Sequence, residues 1–262
     1  VNPEMSLAQN VDKLFFGKNA VLRDEYNRLF ASVFVNPDMV KNIVQLLYTR
    51  NAGFTRKEIV EKLEITDGGR LSSNLNALIS SDFIMKYVPF GYGKREEHYK
   101  LVDPFCIFYL HFIWKQKKIS EKFWQQNTTS APVSIWRGFA FENVCFNHIE
   151  QIKRSLGISG VITETSAWSK KEDDTEGAQI DLLICRNDNV INMCEIKYYS
   201  GEFRVTKSYY EKILRRQAIL AERISPKFAI HSTLITTFGL NYNEYSSAFS
   251  NVIVLDDLFD NV

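Results

Sequence analysis

Gly177-Ala178-Gln179-Ile180-Asp181-Leu182-Leu183-Ile184, followed after a short turn by Ile191-Asn192-Met193-Cys194-Glu195-Ile196-Lys197, is the stretch that decides the fold. Both runs are apolar and strand-like, and each carries charge: Asp181 in the first, Glu195 and Lys197 in the second. A charge on a buried strand is costly unless it pairs or holds a metal. Side chains alternate along a strand, so Glu195 and Lys197 share one face. A turn through Arg186 to Val190 sets Asp181 opposite Glu195 and brings all three groups to one side of the sheet. Two carboxylates this close repel unless a cation lies between them. Mg²⁺ or Mn²⁺ suits such a site of carboxylates, a carbonyl and water, with Asp181, Glu195 and the Ile196 carbonyl as candidate ligands. Lys197 is placed to orient a water and to offset charge in a phosphorane-like transition state.

Two polar residues outside these strands fall where hydrophobes are expected. A helix predicted over Ser134 to Leu156 has an apolar stripe of Ile135, Phe139, Phe146 and Ile149, and Glu142 falls inside it. A second helix, Ser208 to Ile224, turns Tyr210, Ile213, Leu214, Leu220 and Ile224 inward, and Gln217 falls among them. Glu142 and Gln217 are therefore further candidate catalytic residues. The plainer alternative is a solvated cross-strand ion network, with Glu142 paired to Arg137 or Lys153.

Outward from this stretch, strands are expected at Val161–Trp168, Gln179–Cys185, Val190–Tyr198 and Phe228–Thr236, with a last short one at Val252–Leu255. The order αβββαβ over 132–262 gives a mixed sheet with flanking helices, an α/β arrangement within a chain that is α+β overall. The charged segment Ser169 to Glu176 lies beside the proposed site as a candidate lid or substrate-contacting loop. Upstream, 36–104 reads as three helices and a hairpin. Pro37 opens a helix to Tyr48, and Thr55-Arg56-Lys57-Glu58 is a capping box for a helix to Leu63. Arg70 to Ser80 forms the third helix. Strands at Phe83–Val88 and Glu97–Leu101 flank a Gly-Tyr-Gly-Lys-Arg tip. This is the winged helix-turn-helix order. Residues 1–35 carry helical stripes, Leu7, Val11, Leu14 and Phe15 in the first; residues 105–131 are an aromatic helix and a polar connector.

The chain has 262 residues, 45% of them hydrophobic and 24% charged, with a formal net charge of +1. A polyanion site must therefore come from a local patch rather than from bulk charge. Cys106, Cys145, Cys185 and Cys194 show no zinc spacing and suit the core of a protein in a reducing cytoplasm. No signal peptide or membrane-spanning apolar run is present, so no membrane partner is expected. The four histidines stand near no nucleophile signature, and no nucleotide loop or cofactor motif supports a small-molecule enzyme.

Ile180-Asp181 and Glu195-Ile196-Lys197, together with Glu142 and the element order, resemble the PD-(D/E)XK nuclease superfamily, which includes restriction endonucleases and Holliday-junction resolvases. The resemblance covers about 132–262 and implies a restriction-endonuclease-like sheet. It further implies that Asp181 and Glu195 hold Mg²⁺, that Lys197 is catalytic and that Glu142 assists. Ile180 stands where the family name has Pro. The whole chain, with Arg23-Asp24-Glu25, the winged helix and Val102-Asp103-Pro104-Phe105, is similar to the C-terminal part of a bacterial and archaeal AAA+-like ATPase family. In that family a P-loop domain precedes a winged helix and a nuclease-like domain. No Walker motif exists here, and Gly91-Tyr92-Gly93-Lys94-Arg95 lacks both its spacing and its hydroxyl. Residues 1–35 are then expected to link to an ATPase domain absent from this sequence, as the Val at position 1 also suggests.

The third helix offers Arg70, Ser73 and Asn74, and the tip offers Lys94 and Arg95, as nucleic-acid contacts. Glu96 and Glu97 offset the tip, so packing on a partner is the alternative use of this unit. Two functions follow: a Mg²⁺-dependent DNA endonuclease, or a nuclease-like fold without turnover that recognises nucleic acid or protein for an ATPase.

Overall fold

Helix capping and apolar periodicity build the first part of the chain. The structure is a computed structural model and describes residues 1–116, 120–170 and 178–259. Helix α1, Leu7–Val11, is capped by a reciprocal Ser6–Gln9 box and runs into a π-helical turn, Asp12–Phe16. That wider turn shifts the helical phase. Leu7, expected on the buried stripe, is exposed, while Phe16 is fully buried. Helices α2 (Glu25–Val33) and α3 (Pro37–Tyr48) follow, then strand β1 (Phe54–Thr55) and α4 (Arg56–Leu63). The expected capping box at the start of α4 is formed: the Glu58 N–H donates to Thr55 Oγ1 at 3.3 Å and the Thr55 N–H to Glu58 Oε2 at 2.8 Å. Helix α5 (Gly69–Ser80), β2 (Ile84–Tyr87), β3 (His98–Leu101), α6 (Pro104–Phe112) and α7 (Phe123–Asn127) complete this part. The three strands pair in the order β1–β3–β2. Gly53 makes the first of these pairings possible: its φ is +71°, and a Cβ there would lie 2.1 Å from the Tyr99 carbonyl oxygen.

The chain divides into two compact units, Val1–Lys86 with His98–Ala140, and Tyr87–Glu97 with Phe141–Val262. The first unit has a core of Phe30, Ile43, Leu47, Ile59, Leu75 and Leu78. A second, aromatic cluster in the same unit joins Phe16, Phe108, Phe112 and Trp124. The buried Asp12 ties its backbone together, accepting from the N–H groups of Trp124 (2.7 Å) and Gln125 (3.1 Å) and from Gln125 Nε2 (2.9 Å).

Helix α8 (Ala131–Asn147) and α9 (Ile149–Ser155) stand where one helix from Ser134 to Leu156 is expected; the helix breaks at His148, whose ring Nδ1 lies 2.7 Å from the Val144 carbonyl. The expected stripe on α8 is also misplaced. Ile135 and Phe139 are exposed, and Phe141 and Cys145 are the buried positions.

Strands β4 (Thr163–Lys170), β5 (Ala178–Arg186) and β6 (Val190–Lys197) form an antiparallel meander. After the short β7 (Phe203–Arg204), helix α10 (Lys207–Ala221) crosses over to β8 (Ala229–Thr236), which pairs parallel to β6. Strands β9 (Leu240–Asn241) and β10 (Asn251–Val254) follow. The main sheet is mixed, in the order β10–β8–β6–β5–β4, and β7 pairs with β9 in a two-stranded sheet of its own. One face of the main sheet packs Leu183, Met193 and Leu234 against Ile213 and Leu220 of α10. The other packs Leu182, Cys194 and Ile235 against Phe141, Cys145 and Ile152. The chain is thus mixed α/β, with helices and several sheets. Lys171 to Glu176, most of the expected lid segment, lie outside the described residues, whereas Ser169 and Lys170 belong to β4.

Candidate functional site

The register of β5 and β6 puts the charged residues together. The regular pairs run from Cys185–Ile191 to Leu182–Cys194, one step short of Asp181 and Glu195. At that step β5 is irregular. Between the pairs Ser166–Leu183 and Trp168–Ile180, β4 advances two residues and β5 three, so β5 carries a bulge around Asp181 and Leu182. Its alternation breaks there as well: Ile180 and Leu182, two residues apart, join the cores on opposite faces. A bulge re-aims a side chain and interrupts pairing. Asp181 Oδ2 accordingly accepts the backbone N–H of Ile196 at 3.0 Å.

Lys197 Nζ lies 2.8 Å from Glu195 Oε1 and 3.8 Å from Asp181 Oδ2. The two carboxylate side chains are only 4% and 8% exposed and the lysine 34%, so the ammonium is the solvent-facing member of the trio. Two residues of α10 close the inner side. The Tyr209 hydroxyl donates to Glu195 Oε1 at 2.5 Å, and the buried Arg216 guanidinium pairs with Glu195 Oε2. Gln217, the candidate from this helix, is not in the cluster; its Nε2 donates to Ser232 Oγ at 2.6 Å. Arg216 and Gln217 lie three and four residues after Ile213, so both fit the inward stripe by spacing alone. An arginine facing two strand acids is the signal that separates them. Tyr209, four residues before Ile213, was legible in the same way.

The charges are unequally met. Burial pushes the Asp181 carboxyl up to about 7, repulsion by Glu195 and Glu142 adds to this, and Lys197 opposes it. Burial by itself would pull Lys197 down, but Glu195 and Asp181 hold its ammonium above the usual range. Burial and Glu195 push the Tyr209 phenol far up, so it stays a neutral donor.

Among the described residues no group of three or more histidine, cysteine, aspartate or glutamate side chains is arranged to hold a metal ion. A magnesium site needs less than that, one or two carboxylates completed by water and substrate phosphate. Asp181 and Glu195 meet this requirement in number, and burial, more than neighbouring charge, opposes the charged form of Asp181. Thr236, in register with Lys197, adds a buried Oγ1 with no hydrogen-bond partner among the described residues. The residues present therefore fit a hard cation.

The candidate nucleic-acid contacts are divided between the two units. On α5, Arg70 is exposed and donates to Asn36 Oδ1 at 2.7 Å, and Ser73 is exposed. Asn74 is buried with its amide nitrogen unpartnered among the described residues, because its position falls on the core side beside Leu71, Leu75 and Leu78. It is thus not available as a base contact. Lys94 and Arg95 lie on a 3₁₀ turn within 87–97, a segment of the second unit. There the Phe90 N–H donates to the Ala167 carbonyl at 3.1 Å, and Ser166 Oγ to the Val88 carbonyl at 2.8 Å.

No family model matches the chain, and no curated protein matches it. Among solved structures it is similar to a protein of unknown function, AF1548, at 13% identity and a TM-score of 0.31. The match covers 44% of this chain and 64% of that one.

Proposed function

We propose that this chain is a metal-dependent phosphodiester hydrolase of the PD-(D/E)XK type, acting on DNA. The observation that carries this reading is the convergence of Asp181, from a β-bulge, with Glu195 and Lys197, where burial and neighbouring acids raise the proton affinity of Asp181. Asp181, Glu195 and the Ile196 carbonyl would hold Mg²⁺ or Mn²⁺. The bound cation would supply a Lewis acid for the phosphoryl oxygen and a water of lowered pKa. Lys197, solvent-facing and cationic, stabilises charge that develops on the phosphoryl group. Glu142 raises the proton affinity of Asp181 by repulsion, and Tyr209 and Arg216 fix the Glu195 carboxylate. In this reading α3, α4, α5 and the β2–β3 hairpin are a winged helix that contacts DNA, and the chain works as the C-terminal part of an AAA+-like ATPase.

One observation favours a second reading. Both Glu195 oxygens are already engaged, by Lys197 and Tyr209 on one side and Arg216 on the other. A site closed in this way suits a nuclease-like module that binds nucleic acid or protein without turnover. Cleavage of plasmid and single-stranded DNA with Mg²⁺ or Mn²⁺ decides between them. The hydrolase reading expects cutting that falls by about 10³-fold in both Asp181→Ala and Lys197→Ala. A wild-type chain that neither cuts DNA nor gains melting temperature with either metal leaves the binding module.

A further inference from the structure

Five large aromatic rings of the second unit are exposed among the described residues: Tyr92, Tyr199, Phe238, Tyr242 and Phe259. Three of them flank the β7–β9 pair along the chain: Tyr199 precedes β7, Phe238 precedes β9 and Tyr242 follows it. Tyr199 is 50% exposed, Phe238 60% and Tyr242 78%. Exposed rings carried on neighbouring stretches of backbone mark an interaction site more strongly than rings scattered singly.

These rings are held on a stitched backbone. The Tyr199 N–H donates to Thr237 Oγ1 at 3.1 Å, and the Thr237 hydroxyl donates back to the Tyr199 carbonyl. The Phe203 N–H donates to the Gly239 carbonyl at 2.8 Å, and Asn241 Nδ2 to Glu202 Oε2 at 3.1 Å. The platform is also joined to the candidate site. Tyr199 follows Lys197 by two residues, and its ring meets Phe203 edge-on at 5.9 Å between centroids. Phe203 meets Tyr209 edge-on at 5.3 Å, and the Tyr209 hydroxyl bonds Glu195.

We infer that Tyr199, Phe238 and Tyr242 form a stacking platform for unpaired bases, so that the substrate is a single strand or a single-stranded part of a larger nucleic acid. This inference rests on the hydrolase reading for its link to cleavage, but the binding it describes does not need metal. Every base has an apolar face, and an aromatic ring binds it whatever its identity. Paired bases are stacked within the duplex and do not reach such rings unless flipped out. The charge nearby fits this mode. Arg204 and Lys207 are exposed beside the platform and attract phosphate, while the exposed Glu202 and Glu244 offset them, so the patch carries no net positive charge. Binding is therefore carried by stacking more than by phosphate neutralisation, and its salt dependence is shallow.

Fluorescence anisotropy of the full chain with a labelled twelve-nucleotide oligo(dT) in EDTA tests this, with a duplex of equal length as competitor. The expected result is at least tenfold preference for the single strand. About tenfold weaker binding is expected in Tyr199→Ala and in Tyr242→Ala, with Tyr199→Phe binding like the wild type. Melting curves establish that the variants are folded; these exposed side chains leave the core intact. Undiminished binding by both alanine variants, equal competition by duplex, or no binding of oligo(dT) overturns the inference and leaves the patch to a protein partner. Cleavage is read separately. Ring-dependent binding with neither cutting nor a metal-induced gain in melting temperature sinks the hydrolase reading alone, and cutting with ring-independent binding sinks the platform alone.

Discussion

Asp12 in the first unit and Asp181 in the second are both acids turned into the protein, yet their surroundings are opposite. Asp12 receives three N–H groups from Trp124 and Gln125, all of them neutral dipoles. Asp181 receives one backbone N–H and a lysine at 3.8 Å, and faces repulsion from Glu195 and Glu142. Burial of a carboxylate therefore does not by itself mark a site. Whether its hydrogen bonds and charge are met distinguishes an acid that fastens the fold from one that awaits a proton or a cation.

The largest effect that bears on this contrast lies at Glu195, which sits beside Asp181 but is fully engaged. Arg216→Leu leaves a buried carboxylate short of one cationic partner and is expected to cost about 3 kcal/mol, read by urea unfolding. An unchanged midpoint would show that Lys197 and Tyr209 suffice and that Arg216 is not needed to hold Glu195. Next comes Asp12→Ala, which strands the Trp124 and Gln125 donors and should cost about 2 kcal/mol, with no effect of Mg²⁺ on the loss. The smallest effect has the opposite sign. The folded value of Asp181, about 7, lies above its ordinary 3.8, so the stability gained by protonation is complete below about pH 4 and is lost as pH rises through 7. Asp181→Asn is expected to raise the melting temperature by about 2–4 °C at pH 8 and to flatten its fall between pH 5 and 8. A lower melting temperature for this variant at pH 8 would place Asp181 with Asp12, as an acid whose bonds hold the fold.

Much of this site was legible in the residues. Period-two alternation and the turn at 186–190 foretold that Asp181 and Glu195 would meet, and the sheet register agrees to the residue before them. The bulge was not legible, because both faces of this sheet are apolar and an inserted residue around Asp181 leaves no mark in Leu182 to Ile184. Helix faces were read less well. Between Arg216 and Gln217, spacing could not choose, and polarity favoured the neutral side chain although the buried acid needed the cation. Glu142 falls in a stripe whose members Ile135 and Phe139 are exposed, and its repulsion is one of the smaller causes that raise the proton affinity of Asp181. The π-helical turn at 12–16 likewise moved the first buried stripe, and its hydrogen-bond shift has no compositional signature.

The hydrogen bonds from Phe90 to Ala167 and from Ser166 to Val88 have a consequence beyond the site. Strand β4 is an outer strand of the five-stranded sheet, and an outer strand offers unpaired backbone groups to any other chain. Residues 88–90 occupy part of that margin. The same short segment that carries Lys94 and Arg95 is thus a guard against strand exchange between molecules. Shortening it would trade solubility for reach, and the resulting chains would find in one another the partner that β4 now has at home.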